Sequence, residues 1–513
     1  MKYIIKNLIV PVHDEAILDK YLSQSLKKQF NYINNWTVLK RALDTRKKNF
    51  PQYVFTLELN TNRELTLNHN LTKSVEIESV NKPSKILSDI NPFIIGMGPA
   101  GLFCALSMVE NGLKPILFDQ GDCLENRSII VNEFWTQGTL NKDCNVQFGE
   151  GGAGAFSDGK LTSRTSSLQT SKVFEHLIKF GADPSIKWEA HPHLGTEVIR
   201  DIVKKIRQYL IDMGCVFYYN HKMDSIKIVN DRVTEITING NIYNPEMVVL
   251  ALGNSARKTF KMLHSNSLAI ESKAFAVGFR ISHPQDWIDY SIYGSNKWSD
   301  LLGAASYRLT SNNDGYSAYT FCMCPGGHII AATSEVNSTV TNGMSYNKRD
   351  GKYGNSAIVT SIGPKNYGSE VFSGMSYQDD IEKKAFINNY SAPYQSAEDY
   401  LNNTLSMAKS IDCLFPNTMP YMISNLFSES INNSLKQGLI HFNRIMPGFI
   451  SKGLIIAPET RTSCPIRIVR NRETLSCLNI NNLYAIGEGS GYAGGIVSSA
   501  ADGYRIGSLF TAH

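Results

Sequence analysis

One decapeptide sets the terms for the whole chain: Phe93-Ile94-Ile95-Gly96-Met97-Gly98-Pro99-Ala100-Gly101-Leu102. Three apolar residues, a glycine-rich turn and a proline followed by helix formers read as a buried strand that turns sharply into a helix. Gly96 suits the tight turn, Gly98 lets backbone approach a ligand, and Gly101 lets the helix pack closely on its strand. The helix continues through Phe103, Cys104, Ala105, Leu106 and Val109, with Gly112 as its stop. Its N-terminus offers free N–H groups and a positive dipole end, the local chemistry of a diphosphate site. The implication is an α/β core built around a dinucleotide cradle.

The context strengthens that reading. Lys114-Pro115-Ile116-Leu117-Phe118-Asp119 predicts a second strand ending in an acid, eighteen positions after Gly101. A carboxylate about 20 residues beyond the glycines is where a ribose hydroxyl would be held. The bare GxGxxG pattern occurs twice more. Gly149-Glu150-Gly151-Gly152-Ala153-Gly154 lacks a long strand before it and a helix after it, and is rejected as a Rossmann turn. Gly489-Ser490-Gly491-Tyr492-Ala493-Gly494 follows the strand-like Asn482-Leu483-Tyr484-Ala485-Ile486 and precedes a helical run. There Gly487, Glu488 and the start Gly494-Gly495-Ile496 predict a second helix N-terminus aimed at the same ligand, an arrangement suited to a flavin.

A length of 513 residues predicts two or three domains. With 42% hydrophobic and 19% charged residues the composition excludes a disordered chain, and no apolar run reaches the ~18 residues of a membrane span. A net charge of +5 over this length does not by itself argue for nucleic acid. Nine scattered cysteines fit free thiols in a reducing compartment, and Lys6 and Asn7 interrupt any signal-peptide core, so the expected location is cytoplasmic.

Taken in order, residues 1–90 predict a small N-terminal α/β, ferredoxin-like domain, with a strand from Ile4 to Val10, a helix from Asp14 to Phe30 and a strand over Tyr53-Leu59. The basic cluster Lys40 to Lys48 reads as a solvated helical face, with RNA as the alternative partner. Asn81-Lys82-Pro83-Ser84 reads as a linker. Residues 91–257 and 456–513 form the cofactor domain, discontinuous in sequence, around an inserted α+β substrate domain at 258–455. Thr196 to Met213 predicts an amphipathic helix capped by Thr196, followed by a three-stranded excursion with turns at Asn230-Asp231 and Asn239-Gly240. A glycine run at 149–154 framed by Phe148, Phe156 and Leu161 predicts backbone laid against a ligand.

No CxxxxC dithiol follows the first Rossmann unit. Cys322-Met323-Cys324 is the one close pair, and a bridge across a single residue would be tight, so buried free thiols are expected there. His328 and His193 fit structural roles, and no metal set is expected. Arg461, Arg467 and Lys160 fit either an anion site or structural ion pairs.

Taken together, GMGPAG, the Asp119 strand end, VVLALG and LYAIGEG resemble the glutathione-reductase-type FAD fold. The longer strings NVQFGEGGAGAFSDGKL (145–161), TFCMCPGGHI (320–329), ETRTSCPIRI (459–468) and GEGSGYAGGIVSSAADG (487–503) resemble the FAD-dependent or NAD(FAD)-utilising dehydrogenases. The resemblance implies FAD held by Gly96, Gly98, Pro99, Ala100 and Gly101 at the pyrophosphate, and by Asp119 with Gln120 at the adenosine ribose. It further implies Met223 at the adenine, Gly253 as a third contact, Gly487 and Glu488 at the ribityl chain, and Gly494, Gly495 and Ile496 at the flavin pyrimidine edge. The activity it implies is hydride transfer through flavin N5 to or from an unidentified small molecule, with NAD(P)H as a transient donor if one is used. No catalytic acid or base is assigned. Alternatives are a flavin monooxygenase and an RNA-modifying or RNA-binding flavoprotein using the N-terminal module, and an electron-transfer partner stays open.

Overall fold

The computed structural model describes residues 1–74, 85–86, 90–162, 167–313, 315–407 and 412–512. The expected linker at Asn81-Lys82-Pro83-Ser84 lies outside the described residues. At the centre is a five-stranded parallel sheet in the order Leu483–Ala485, Val248–Leu250, Phe93–Ile95, Ile116–Phe118, Val216–Tyr218. Leu483–Ala485, Val248–Leu250 and Phe93–Ile95 are buried throughout, which is why they appear in the sequence as unbroken apolar runs without alternation. The strand at Leu483 is supplied by the last thirty or so residues of the chain, so the sheet is completed only after the chain has made a long excursion.

The helix Pro99–Glu110 packs on this sheet and is crossed by the helix Ile496–Gly507. The crossing is so close that a Cβ on Gly503 would lie 2.0 Å from the Ala100 carbonyl oxygen, and one on Gly507 would lie 2.5 Å from that of Cys104. The excursion Met223–Val229, Arg232–Ile238, Asn241–Tyr243 is an antiparallel meander. Its two turns, Asn230-Asp231 and Asn239-Gly240, have positive φ at both positions, the mirror-image turn that matches strand twist.

Residues between Phe275 and Glu459 build a seven-stranded sheet in the order Thr310–Asn313, Tyr316–Cys324, Tyr353–Ile362, Phe275–Pro284, Leu454–Glu459, Ala392–Ser396, Thr418–Pro420. The helix Glu429–Ile445 lies against it through Leu435, Leu439 and Phe442. A smaller sheet, Thr341–Ser345, Gly327–Ala331 and Cys413–Leu414, adjoins it. A further helix of this part of the chain spans Ser373–Lys384.

The N-terminal sheet has the order Ile33–Asp44, Gln52–Thr61, Lys2–Pro11, Leu71–Lys73, the ferredoxin-like order, with a loop over residues 62–70 where that fold has its second helix. Three local expectations are corrected. The helix expected over Asp14 to Phe30 is a true α-helix only over Leu18–Leu26, because Lys27 turns to φ +51 and 3-10 turns flank it. The basic cluster begins on a strand, not a helical face: Lys40 and Arg41 pair with Thr56 and Phe55. Thr196 does not cap its helix, Gly195–Asp212; its hydroxyl donates to the Ser157 carbonyl at 2.6 Å and ties the helix to the glycine-rich loop. No helix among the described residues is long and apolar enough to cross a membrane.

Candidate functional site

The site starts at the turn between Ile95 and Pro99. Gly96 sits at φ +110, and a Cβ there would fall 2.3 Å from the Ala251 carbonyl oxygen, so only glycine fits. Gly98 is the helix N-cap and Pro99 the first helical residue, which leaves the amides of the first turn without helical partners. Gly101 does not reach the cavity; its missing side chain would lie 2.0 Å from the Gly96 carbonyl oxygen, the close helix-to-strand packing its position implies. The second glycine string lies directly on this turn, with Gly152 positioned so that a Cβ would be 3.1 Å from Gly98 Cα and with Gly151 N–H donating to Met97 O at 2.8 Å.

That second string is shaped by Arg127, which sequence reasoning missed. Its guanidinium is completely buried and donates to the carbonyl oxygens of Asn145 (2.9 Å), Val146 (3.0 Å), Gly149 (3.2 Å) and Glu150 (2.5 Å). It also lies 4.7 Å from the Phe156 ring centroid. The signal was present: Leu124, Arg127, Val131 and Phe134 are the buried residues of one helix, so an arginine holds a place in an apolar stripe.

Asp119 is buried and engaged with backbone, accepting from Met97 N–H at 2.8 Å and from Gly121 N–H at 2.9 Å. Burial pushes its carboxyl above the ordinary carboxylate range against those two donors. It therefore braces the glycine turn as well as lining the cavity together with Gln120 and Met223. Glu488 accepts from the Asn254 amide at 2.8 Å, and burial likewise pushes its carboxyl up, opposed by Asn254 and by the Gly495 N–H. Gly487 stands behind the wall, donating to Asp502 Oδ2 at 2.8 Å, while Asp502 pairs with Arg470.

At the helix Ile496–Gly507, the three amides expected to face a flavin divide. Gly494 N–H donates to Ser498 Oγ at 3.1 Å and Gly495 N–H faces Glu488, which leaves Ile496 as the first helical residue. All three residues line the cavity, and a Cβ on Gly253, Gly494 or Gly495 would meet nothing within 4 Å.

The opposite wall comes from the seven-stranded sheet and its return strand. Arg461 donates to Ser255 (2.9 Å) and Ser334, and pairs with Glu382 at 3.0 Å. Glu382 is wholly buried, and also receives Arg257 at 2.8 and 2.9 Å and Thr460 at 2.7 Å. Burial alone would raise its carboxyl, but Arg257 and Arg461 pull it down to about 2. Glu459, also on the wall, is paired with the buried Arg280 at 2.9 Å. Lys160 reaches across from the glycine-rich loop to the Met323 carbonyl. Three sequence candidates are engaged by protein partners: Arg467 pairs with Glu271 at 3.0 Å, His193 contacts the Asn347 carbonyl at 3.1 Å, and His328 pairs with Asp412 at 3.0 Å. Asn254, Ser255 and Arg257, which carry the connection from cofactor sheet to cap, were not foreseen beyond Gly253.

Twelve of the fourteen residues assigned from sequence to a cofactor thus line one cavity of about 450 Å³, Gly101 and Gly487 being the exceptions. The volume is that of a small-molecule or cofactor site, about 300–1,000 Å³. A glycine cradle beside a helix N-terminus, with open space where side chains would otherwise stand, fits a dinucleotide, and the class these features define is an α/β FAD-binding protein.

Residues 274–462 match the family described as FAD-dependent protein, C-terminal domain-like. A protein of Clostridium beijerinckii named only as uncharacterized is 37% identical over 519 residues, covering 98% of this chain and 97% of its own length. The chain belongs to this family of FAD-dependent proteins. Among solved structures it is similar to CtdE in complex with FAD (9% identity, 82% of each chain, TM-score 0.31). It is also similar to L-proline dehydrogenase from P. horikoshii (11% identity, 82% of this chain and 94% of that chain, TM-score 0.36). Likenesses at this level carry no assignment of substrate.

Proposed function

We propose that the protein is an FAD-dependent oxidoreductase of a small molecule admitted between the five-stranded and seven-stranded sheets. The observation that carries this reading is one continuous cavity, whose wall runs from the Gly96–Ala100 turn to Cys322, Glu459 and Arg461. In this division residues 91–257 and 456–513 hold the cofactor, 258–455 cover it, and 1–90 form an appended module.

Bound FAD supplies two-electron chemistry as hydride transfer at N5. The chain's residues hold and tune it. The Gly96–Ala100 turn takes the pyrophosphate, with Gly101 allowing its close packing, and Asp119 with Gln120 faces the ribose. Met223 and Gly253 flank the adenine side and the central contact, while Glu488, with Gly487 behind it, serves the ribityl chain. Ile496, with Gly494 and Gly495, sets the positive end of a helix dipole where negative charge appears on reduction. Arg461, fixed by Glu382, Ser255 and Ser334, presents a fixed cation to the cavity.

NAD(P)H serves in this reading as a transient donor entering the same cleft. No observation favours the monooxygenase alternative, and for RNA the basic cluster is partly engaged, since Arg41 pairs with Glu15 and Glu189 and Arg46 with Asp44. The test is anaerobic titration with NADH and NADPH while following flavin absorption at about 450 nm. Bleaching by one nucleotide establishes the donor. A protein that shows no flavin spectrum even after FAD is added refutes the proposal.

A further inference from the structure

Cys322 and Cys324 have no part in the function above, yet they stand at its cavity. The strand Tyr316–Cys324 pairs with Tyr353–Ile362 as Phe321↔Ala357 and resumes as Cys324↔Asn355, so one extra residue is inserted. A bulge of this kind re-aims side chains, and here Cys322 takes φ +46 and lines the cavity. Cys324 is fully buried behind it, and its Sγ donates to the Cys322 carbonyl oxygen at 3.3 Å. The bulge thus folds the Cys324 thiol back onto the residue that carries the other sulfur, although the one-residue spacing alone made a bridge look strained.

The surroundings separate the two thiols chemically. Arg280 Nη1 donates to the Cys322 carbonyl at 3.3 Å, and Lys160 holds the carbonyl of the intervening Met323. The acids facing these cations are Glu459, on Arg280, and Asp158, 3.7 Å from Lys160. The neighbouring Cys324 thiol, then Lys160 and Arg280, hold the Cys322 thiol well below its ordinary value, whereas Cys322 and burial push Cys324 up. Of the two sulfurs, the one at the cavity wall is favoured as thiolate and the buried one as thiol. By contrast Cys215, Cys464 and Cys477 are pushed up to about 12, chiefly by burial.

We propose that Cys322 and Cys324 form a redox-active dithiol that exchanges two electrons with the flavin held in this cavity. Oxidation forms the bond between the two Sγ atoms and breaks the S–H bond of Cys324. The oxidised flavin accepts the electron pair and that one proton, giving anionic reduced flavin, and the reverse direction regenerates thiolate and thiol. The inference rests on the flavin reading of the cavity.

The test uses the full-length protein loaded with FAD, oxidised with diamide, desalted and titrated anaerobically with dithionite. The expected uptake is about four electrons per flavin, falling to about two in Cys324→Ser. In parallel, the wild-type peptide carrying residues 322–324 is mapped by mass after diamide and alkylation; it should be about two mass units light and unalkylated, and this readout needs no variant to fold. Uptake of about two electrons by the wild type, or a peptide alkylated at both cysteines, overturns the proposal. A missing flavin spectrum refutes the flavin reading, and with it the electron exchange, while the peptide mass still reports on the bridge alone.

Discussion

The junction between cap and cofactor sheet rests on one carboxylate, and replacing it is the sharpest test of how the site is held. Glu382 has no solvent contact and receives two guanidiniums, Arg257 at 2.8 Å and Arg461 at 3.0 Å, as well as the Thr460 hydroxyl at 2.7 Å. In Glu382→Gln the shape survives but the charge is lost, leaving two largely buried cations facing a neutral amide. Removing one partner of a buried pair costs about 3–5 kcal/mol; the remaining partners of Arg461, Ser255 and Ser334, and of Arg257, Gln378 and Asp379, place the expectation near the lower end, about 3 kcal/mol. The pH dependence gives a second estimate. The carboxyl is depressed from an ordinary 4.5 to about 2, so its contribution is complete above about pH 4.5 and is lost as pH falls toward 2, again about 3 kcal/mol in all. Urea denaturation followed by circular dichroism from pH 7 down to pH 3 should show wild type losing stability across that window and the variant, weaker at pH 7, converging on it. A loss below about 1 kcal/mol at neutral pH, or an acid limb identical in both proteins, would show that the buried triad does not hold the junction.

Gly96→Ala should abolish flavin retention, since its Cβ would collide with the Ala251 carbonyl at 2.3 Å, whereas Gly494→Ala meets nothing within 4 Å and should fold normally while weakening FAD binding; thermal melts of apoprotein and flavin absorption separate the two. Arg127→Met removes the donor for four backbone carbonyls and should cost about 3 kcal/mol or more and loosen the 145–154 loop, measured by denaturation and amide exchange. His328 is raised by its hydrogen bond to Asp412, so their pairing stabilises below about pH 6.5 and is lost as pH rises through the raised folded value, contributing under about 1 kcal/mol for this half-exposed pair. An NMR titration should find the His328 pKa lowered in Asp412→Asn, and an unchanged titration would refute the pairing.

What could be read from sequence, and what could not, divides by the range of the interaction. The Phe93–Leu102 strand, turn and helix are specified by neighbours: apolar run, glycines that nothing else could replace, and proline at the first helical position all agree within ten residues. The Asn230-Asp231 and Asn239-Gly240 turns were equally local. The failures are long-range. Lys40 and Arg41 were read on a helical face because a run of charge has no period of its own; pairing with Thr56 and Phe55 makes them strand, and Arg41 is then fixed by Glu189, far along the chain. Thr196 looked like a cap from its place before an amphipathic run, but the helix already begins at Gly195, and the Thr196 hydroxyl donates to the Ser157 carbonyl instead. Arg257, Glu382 and Arg461 are separated by 125 and 79 positions, and each alone is an ordinary charged residue. Their meaning arises only when the cap helix Ser373–Lys384 lands beside the return strand. The Cys322–Cys324 pair shows the same limit at short range: spacing predicts a strained bridge, while the bulge that folds the Cys324 thiol back onto the Cys322 carbonyl is set by the register of Phe321 and Cys324 against Ala357 and Asn355. The cofactor cradle is thus written locally, whereas the chemistry of the opposite wall is written in pairings that only the folded chain assembles.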